Sequence, residues 1–458
     1  MSVKPAVEPY AVKVPAPLPL TARVAPVDDD RRPDVESLFA HLFGGAGDVF
    51  WLDAGADPHG GWSLLGAGFA ERDPAAVRAV GLSRPAETSR IPFLGGWVGW
   101  LPYEHGAAAI GAPVAGTAAT PTWIGVTRAV AVDHATGEVH ALAPADELDA
   151  WARTVSEAMT APGLEPAAEP ACSQIATPRH GVAEYSALVE ECRSAIRRGD
   201  AYQLCLTTRF TTARPDDPFA VYRRLRAATP AHHGGYLRVG EQHVLSASPE
   251  QFLATVDGRA STSPIKGTRP RGVTAEDDAR LADELRADVK ERAENVMIVD
   301  LMRNDLSHVG VPGTVDVERL WQVETYPAVH QLVSTVSVRL REGVTFGDLC
   351  DAAFPAGSMT GAPKLSAMTI LHRLERAPRG VYSGCFGHVG LDGRVDLAMV
   401  IRTIVVDADS ASVGAGGGIT WLSQAEAEAA EVATKARAPL AALGAQLPQP
   451  WRDLLPVT

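Results

Sequence analysis

Gly384–Thr420, GCFGHVGLDGRVDLAMVIRTIVVDADSASVGAGGGIT, reads as an antiparallel meander: short apolar and β-branched runs alternate with turn residues, and Asp392-Gly393 is a two-residue hairpin signal. The helix expected around Ala425 to Ala441 is its final partner. Upstream, VAEYSALVEECRSAIRRGD has apolar residues at helical spacing and stops at Gly199, and AYQLCLTTRF follows as a strand that carries Gln203. GGYLRVGEQHVLSASPEQFLATV predicts a hairpin turning at Gly240, and one long helix is expected from about Ala275 through Ile298. Helices beside adjacent antiparallel strands predict the α+β class rather than a parallel, doubly wound sheet.

Pro162–Pro178, PGLEPAAEPACSQIATP, has no periodic apolar face and reads as an exposed linker. It divides an N-terminal region, 1–161, from a catalytic region, 179–445. In the N-terminal region FLGGWVGWLPYE alternates glycines with aromatics and reads as a plain core strand without chemistry.

Of 458 residues 46% are hydrophobic, enough for a large buried core, and the formal charge of −13 argues against a nucleic-acid or anionic-membrane surface. An anionic substrate therefore needs a locally positive pocket. The five cysteines, Cys172, Cys192, Cys205, Cys350 and Cys385, lack C-x-x-C spacing, which fits buried thiols in a reducing compartment. No apolar run approaches the roughly 20 residues of a spanning helix, and MSVKPAVEPYAVKVPAPLPL lacks a continuous apolar h-region, so a cytoplasmic protein is expected.

Chemistry gathers around Pro264–Gly272, PIKGTRPRG, which puts the primary amine of Lys266 on a basic, glycine-punctuated turn. Glu250, in Ser248-Pro249-Glu250, lies before a hairpin that brings it back toward Lys266, an acid and nucleophile pair. Glu291 with Glu294, and Glu428 with Glu431, are carboxylates at i, i+3 on two helices, a spacing that presents both to one face where a hard divalent ion can sit. On an Ala-rich helix such pairs more often face solvent. Arg402 in MVIRTIVV can grip a carboxylate with two parallel hydrogen bonds, and Gly414–Gly418 permits close backbone approach; this run lacks the Lys-Ser/Thr of a P-loop and the setting of a dinucleotide fingerprint. His330, alone in YPAVHQLVS, reads by itself as a satisfied core residue.

Together PIKGTRPRG, ASPE, ENVMIVDLMRNDLSHV, FPAGSMTGAPKLSAM and GAGGGIT with EAEAAEVATKARAPL resemble the chorismate-utilising enzymes, from about Glu184 to Leu440. The resemblance implies a four-layer α/β/β/α core with two packed antiparallel sheets in which N- and C-terminal parts intertwine. It also implies Mg²⁺ held by Glu294 and Glu431, with Glu291 and Glu428 acting through water. Arg402, Gly416, Gly418, Tyr382 and Lys435 would bind the substrate, Ser358 would give it a hydrogen bond, and His330 would assist proton transfer at a departing hydroxyl. Isochorismate- and salicylate-forming relatives carry a general-base lysine where this chain has Gln203, and a neutral amide cannot activate water.

Within the family Lys266 resembles the aminodeoxychorismate-forming branch, where anthranilate-forming members typically have alanine. The implied reaction is amination of chorismate at C4: either the free amine of Lys266 attacks C2, with Glu250 as the acid, and ammonia then enters, or Lys266 only pairs with a substrate carboxylate and ammonia attacks directly. For the first route Lys266 needs a depressed pKa, which Arg269, Arg271 and the metal are expected to supply by like-charge repulsion. Ammonia would come from a separate glutamine amidotransferase subunit, since none of the five cysteines sits in a nucleophile-elbow setting. Two alternatives remain at this point, an anthranilate-forming component and a catalytically silent chorismate-binding regulator. Leu52-Asp53-Ala54, aligned with the Leu-Glu-Ser element of tryptophan-regulated relatives, weighs against the first.

Overall fold

In the computed structural model, which describes residues 17–25, 33–55, 60–71, 74–83, 89–116, 120–170, 174–229, 231–326 and 329–455, the Asp392-Gly393 turn closes a hairpin of Cys385–Gly390 on Val395–Met399. The stretch before residue 17 and Cys172 lie outside the described residues.

The expected meander does not continue. Thr403–Val406 pairs with Ser410–Ile419 and not with Val395–Met399, so the segment is two hairpins in two sheets. The break falls at Arg402, whose φ of 51° is left-handed and takes the chain out of one sheet and into the other.

Both sheets are antiparallel. In the first, Gln203–Ala213 is followed by Ser410–Ile419, Thr403–Val406, Gln242–Ser248, His233–Val239, Asp48–Asp53, Trp62–Glu71, Thr122–Asp133, Val139–Ala143 and Thr21–Val24. The second branches from the start of Thr122–Asp133 through Gly96–Leu101, Cys385–Gly390, Val395–Met399, Gln251–Val256, Arg259–Thr262 and Val329–Arg339, which also pairs with Ile265–Pro270 and Asp316–Thr325. The strands from before residue 162 thus form one block, joined at two seams to strands from after residue 178, Asp48–Asp53 with His233–Val239 and Gly96–Leu101 with Cys385–Gly390, in one hydrogen-bonded framework.

Phe50, Leu64, Leu237 and Val405 of the first sheet meet Val98, Trp100, Phe386 and Ala398 of the second in one buried cluster, the layer between the sheets. The outer face of the first sheet is covered by helices that bury Phe39, Trp151, Tyr185, Tyr222 and Val432. Ile298, Met302, Phe346 and Leu349, from helices Val289–Ser307 and Phe346–Ala353, cover the second. Each such side chain contributes about 1.5–3 kcal/mol when fully buried. The result is the four-layer α/β/β/α order expected.

The single long helix expected from about Ala275 is two helices, Ala275–Ala287 and Val289–Ser307. Asp288 divides them: its backbone is extended, and its side chain accepts from the N–H groups of Lys290 and Glu291, capping the second helix. This restart aims Glu291 and Glu294. Among the described residues no helix is long and apolar enough to cross a membrane.

Candidate active site

A bulge between Ile265 and Thr268 re-aims Lys266 out of its strand, with Gly267 at a φ of 80°. Alanine at Gly267 would put a Cβ 2.7 Å from Leu285 and 3.1 Å from Glu291, so both helices press on this turn. The Lys266 amine ends 3.9 Å from Glu294 Oε2 and beside Gly418, where a Cβ would lie 3.3 Å from Nζ. Burial works against its charge, but Glu294, Cys205, Glu250 and Glu431 outweigh that and hold the lysine above its usual pKa.

The expected depression by arginines is therefore corrected. Arg269 donates to Asp288 at 2.9 Å and Arg271 grips Asp278 through two bonds of 2.7 Å, so both cations are neutralised away from the amine.

Glu250 comes just before the Gln251–Val256 and Arg259–Thr262 hairpin, which returns the chain toward Lys266 as expected. It is 7% exposed, and burial pushes its carboxyl up to about 7, against the pull of Lys266, the Ser358 hydroxyl, Lys435 and the Ile265 N–H. A carboxyl near neutrality can both take and give a proton. The Ser358 hydroxyl, on the turn Gly357–Met359, is thus one of the groups that favour the ionised form of this carboxyl.

The strands Gln203–Ala213 and Ser410–Ile419 form the opposite wall. Cβ atoms at Gly414 and Gly418 would strike the Tyr382 ring at 2.2 Å and Gln203 Nε2 at 2.4 Å, so the glycines admit those side chains. Gln203 is 1% exposed, and neither polar atom of its amide has a hydrogen-bond partner. Lys435 donates to the Gly416 carbonyl at 2.8 Å and pairs with Glu431 at 2.6 Å. The Arg402 carbonyl accepts from the Ala247 N–H at 3.2 Å, but its guanidinium makes no hydrogen bond or ion pair with the described residues; burial lowers its pKa, against Glu431 and Tyr382. A guanidinium with no side-chain partner among the described residues and a buried amide with both polar atoms open are groups that can receive an anion.

The four glutamates converge electrostatically from helices Val289–Ser307 and Ala425–Ala442. Burial raises the Glu428 pKa, with Glu431 and Glu294 adding to it while Ser423 and Lys290 oppose, and burial together with Glu294 and Asp288 raises that of Glu291. Among the described residues no three potential ligands close around one point. Lys290 instead stands 3.7 Å from Glu294, and Lys435 holds Glu431. Oxygen donors that repel one another and are shared with ammonium groups fit a hard cation that takes few protein ligands and keeps its waters.

His330 is 1% exposed, with Nε2 2.8 Å from Asp278 Oδ1 and Nδ1 2.9 Å from Thr325 Oγ1. Both ring nitrogens are engaged, and no hydrogen bond joins it to Glu250 or Lys266. Cys205, read from the sequence as a buried thiol, is buried, two residues from Gln203 on the same strand face. Its thiol is raised by burial while Arg379, Lys266 and Lys435 pull it down. Leu52-Asp53-Ala54 lines a separate cavity of about 350 Å³ between the sheets, with Asp53 paired to Arg226 at 2.6 Å.

A match to the chorismate binding enzyme family spans residues 62–441. The chain belongs to this family. Among chorismate binding enzymes and their relatives, aminodeoxychorismate synthase from Streptomyces pristinaespiralis is 38% identical over 90% of this chain, which spans 64% of that protein's length. Anthranilate synthase component 1 from Streptomyces coelicolor is 41% identical over 77% of this chain and 73% of its own. The crystal structure of anthranilate synthase component I from Streptococcus pneumoniae TIGR4 superposes with a TM-score of 0.69 at 27% identity, covering 95% of this chain and 94% of that one. The chorismate-binding fold expected from the motifs is the fold observed.

Proposed function

We propose that this chain aminates chorismate at C4 with ammonia, giving 4-amino-4-deoxychorismate, and that it works in the cytoplasm with a separate glutamine amidotransferase subunit as its ammonia source. The observation that carries the reading is the Lys266 amine held in the site and coupled to Glu250, a carboxyl poised at about 7. Glutamine-dependent activity on co-purification with an amidotransferase subunit supports the partner; its absence with every such subunit tried counts against it.

Arg402 and Lys435 supply the positive charge that an anionic substrate needs on a chain of net charge −13. Mg²⁺, held by Glu294 and Glu431 with Glu291 and Glu428 behind its waters, would neutralise substrate carboxylate charge and fix the ring. Proton transfer from the Lys266 ammonium to an ionised Glu250 yields in one step the free amine and the protonated acid, the pair of forms that the displacement uses. The amine then bonds to C2 as the C4 hydroxyl leaves with the Glu250 proton as water. Ammonia adds at C4 and expels the lysine. Gln203, a neutral amide, does not generate hydroxide, which disfavours water addition.

The test is turnover of chorismate with Mg²⁺ and an ammonium salt at mildly alkaline pH, with products identified by mass spectrometry and chromatography. Aminodeoxychorismate is expected, and Lys266→Ala is expected to abolish it or shift the position of amination. Anthranilate with pyruvate from the wild type overturns the C4 reading; normal rate and product from Lys266→Ala remove the lysine's covalent role.

A further inference from the structure

Helix Val289–Ser307 carries Glu291 and Glu294 in its first two turns, and those turns lie beyond its apolar seam. The side chains that seat the helix on the second sheet, Ile298, Val299, Met302 and Leu306, all come later, and before Ile298 only Glu294 and Asn295 are buried. Apolar burial is non-directional, so it does not by itself fix where the polar start of the helix stands.

A buried hydrogen-bonded hub does. Ser334 lies in Val329–Arg339 where both neighbouring strands leave the ladder: on one side the register skips from Arg319 to Gln322, and on the other Ser263 and Pro264 separate Arg259–Thr262 from Ile265–Pro270. Its N–H donates to the Pro264 carbonyl at 3.2 Å, and its hydroxyl donates to Asn295 Oδ1 at 2.6 Å and accepts from the Trp321 N–H at 3.0 Å. Asn295 also donates through Nδ2 to the Pro264 carbonyl at 3.4 Å, and both Ser334 and Asn295 are fully buried. One serine thus joins the residue two before Lys266, the residue after Glu294 and the bulge at Trp321.

That bulge is strained. Trp321 has a φ of 56°, a backbone conformation that a bulky residue holds only where its surroundings over-determine it. It aims the N–H at Ser334 while the ring lies against Arg292, 3.9 Å from centroid to guanidinium carbon. Arg292 and Asn295 are at i, i+3, so the helix is held along one face on either side of Glu294. Arg269 ties the cap residue Asp288 at 2.9 Å, but both side chains are part-exposed, whereas the hub is enclosed. Lys266 and Gly267, in the bulge between Ile265 and Thr268, have no ladder partner of their own.

We infer that Ser334, Asn295 and Trp321 are positioning residues, which fasten the first turns of this helix to the strand of Lys266 and so set Glu294 opposite the Lys266 amine, 3.9 Å away. The inference rests on the reading that Lys266 acts on chorismate in this site.

The experiment is a double-mutant cycle of Ser334→Ala with Asn295→Ala, read as kcat and KM for chorismate consumption at saturating ammonium and Mg²⁺, with Tm recorded for each variant. Ser334→Ala is expected to lower kcat about 10- to 100-fold, the scale of a reacting group set out of place, with KM changed less than about threefold. In the Asn295→Ala background the same substitution is expected to cost less than about threefold, because the hydroxyl no longer holds the helix. Equal costs in both backgrounds overturn the inference, as does an unchanged kcat or a loss confined to KM. Ile298→Val, in the apolar seam, is expected to lower Tm and leave kcat within about threefold; a kcat loss as large as that of Ser334→Ala would mean general loosening of the helix and overturn the inference. If Ser334→Ala does not fold, Trp321→Gly replaces it, since glycine suits the left-handed backbone and keeps the N–H while the ring leaves Arg292; a fall in kcat is expected and an unchanged kcat overturns the inference. A wild type that consumes no chorismate overturns the activity and this inference with it, whereas an active wild type whose Ser334 and Asn295 variants act independently overturns only the inference.

Discussion

Two buried clusters of opposite charges lie along one strand, and they are finished to different degrees. Around Arg379 the guanidinium and its carboxylate partner are saturated, with bonds of 2.6–3.0 Å to Glu375, Thr207, Met359 and Cys205. Around Lys266 the ion pair is long at 3.9 Å, both polar atoms of Gln203 are unpartnered, and the guanidinium of Arg402, a left-handed residue, has no partner among the described residues. An unsatisfied buried polar group costs about 1–3 kcal/mol, so the second cluster is destabilising as it stands, as the proposed role of a binding site requires. Saturation marks scaffold; incompletion marks recognition.

Glu250→Gln should separate the clusters most. Without its proton-transferring carboxyl, turnover is expected to fall about 10²- to 10⁴-fold. Stability should move the other way. The folded pKa of Glu250, about 7, lies above its ordinary value of 4.5, so its contribution to stability is fully present below 4.5 and is lost as pH rises through 7. The glutamine variant should therefore be more stable than wild type at pH 8.5, by an amount on the order of 3 kcal/mol, and gain little at pH 5. A variant that melts earlier at both pH values would contradict the placement of Glu250 in the unfinished cluster.

Glu375→Gln probes the other cluster. It leaves the Arg379 charge buried with its partner gone, and about 3–5 kcal/mol of stability should be lost in denaturant titration. A wild-type midpoint would dissolve the contrast between the two clusters.

Gly418→Ala sharpens it within the site. Its Cβ would lie 2.4 Å from Gln203 Nε2 and 3.3 Å from Lys266 Nζ, both at the ends of side chains that can swing aside. The fold should survive, with Tm near wild type, while kcat/KM drops about 10- to 100-fold from misplacement of the two groups. Smallest is Arg402→Lys, which keeps the charge and loses the fork: a rise of about tenfold in KM for chorismate with little change in kcat is expected, and an unchanged KM would remove Arg402 from substrate binding.

Catalysis should also depend on pH through the Lys266 and Glu250 pair. The competent pair shares one proton, so protonating Glu250 below about 7 leaves no acceptor for the lysine proton, and the rate at saturating free ammonia should fall as pH drops through that value.

The sequence by itself determined most strands and helices and the Asp392-Gly393 and Gly240 turns, because each depends on local spacing: two-residue alternation in strands, three- and four-residue spacing in helices, and glycine where the turn needs it. Lys266, Glu250 and Arg402 stood out by their chemistry, whereas Gln203, Gly418 and the four glutamates were singled out by the resemblance of their motifs to the family. Only the tertiary structure decided their charge states. Lys266 is held above its usual pKa because carboxylates from two separate helices face it, and Arg269 and Arg271 bond instead to Asp288 and Asp278. The helix break at Asp288, the change of sheet at Arg402, the engagement of His330 by Asp278 and Thr325, and the link from Glu104 to Arg379 join residues far apart in the chain. Hydrogen bonds and desolvation act through space, and sequence spacing carries no record of them until the sheets have closed.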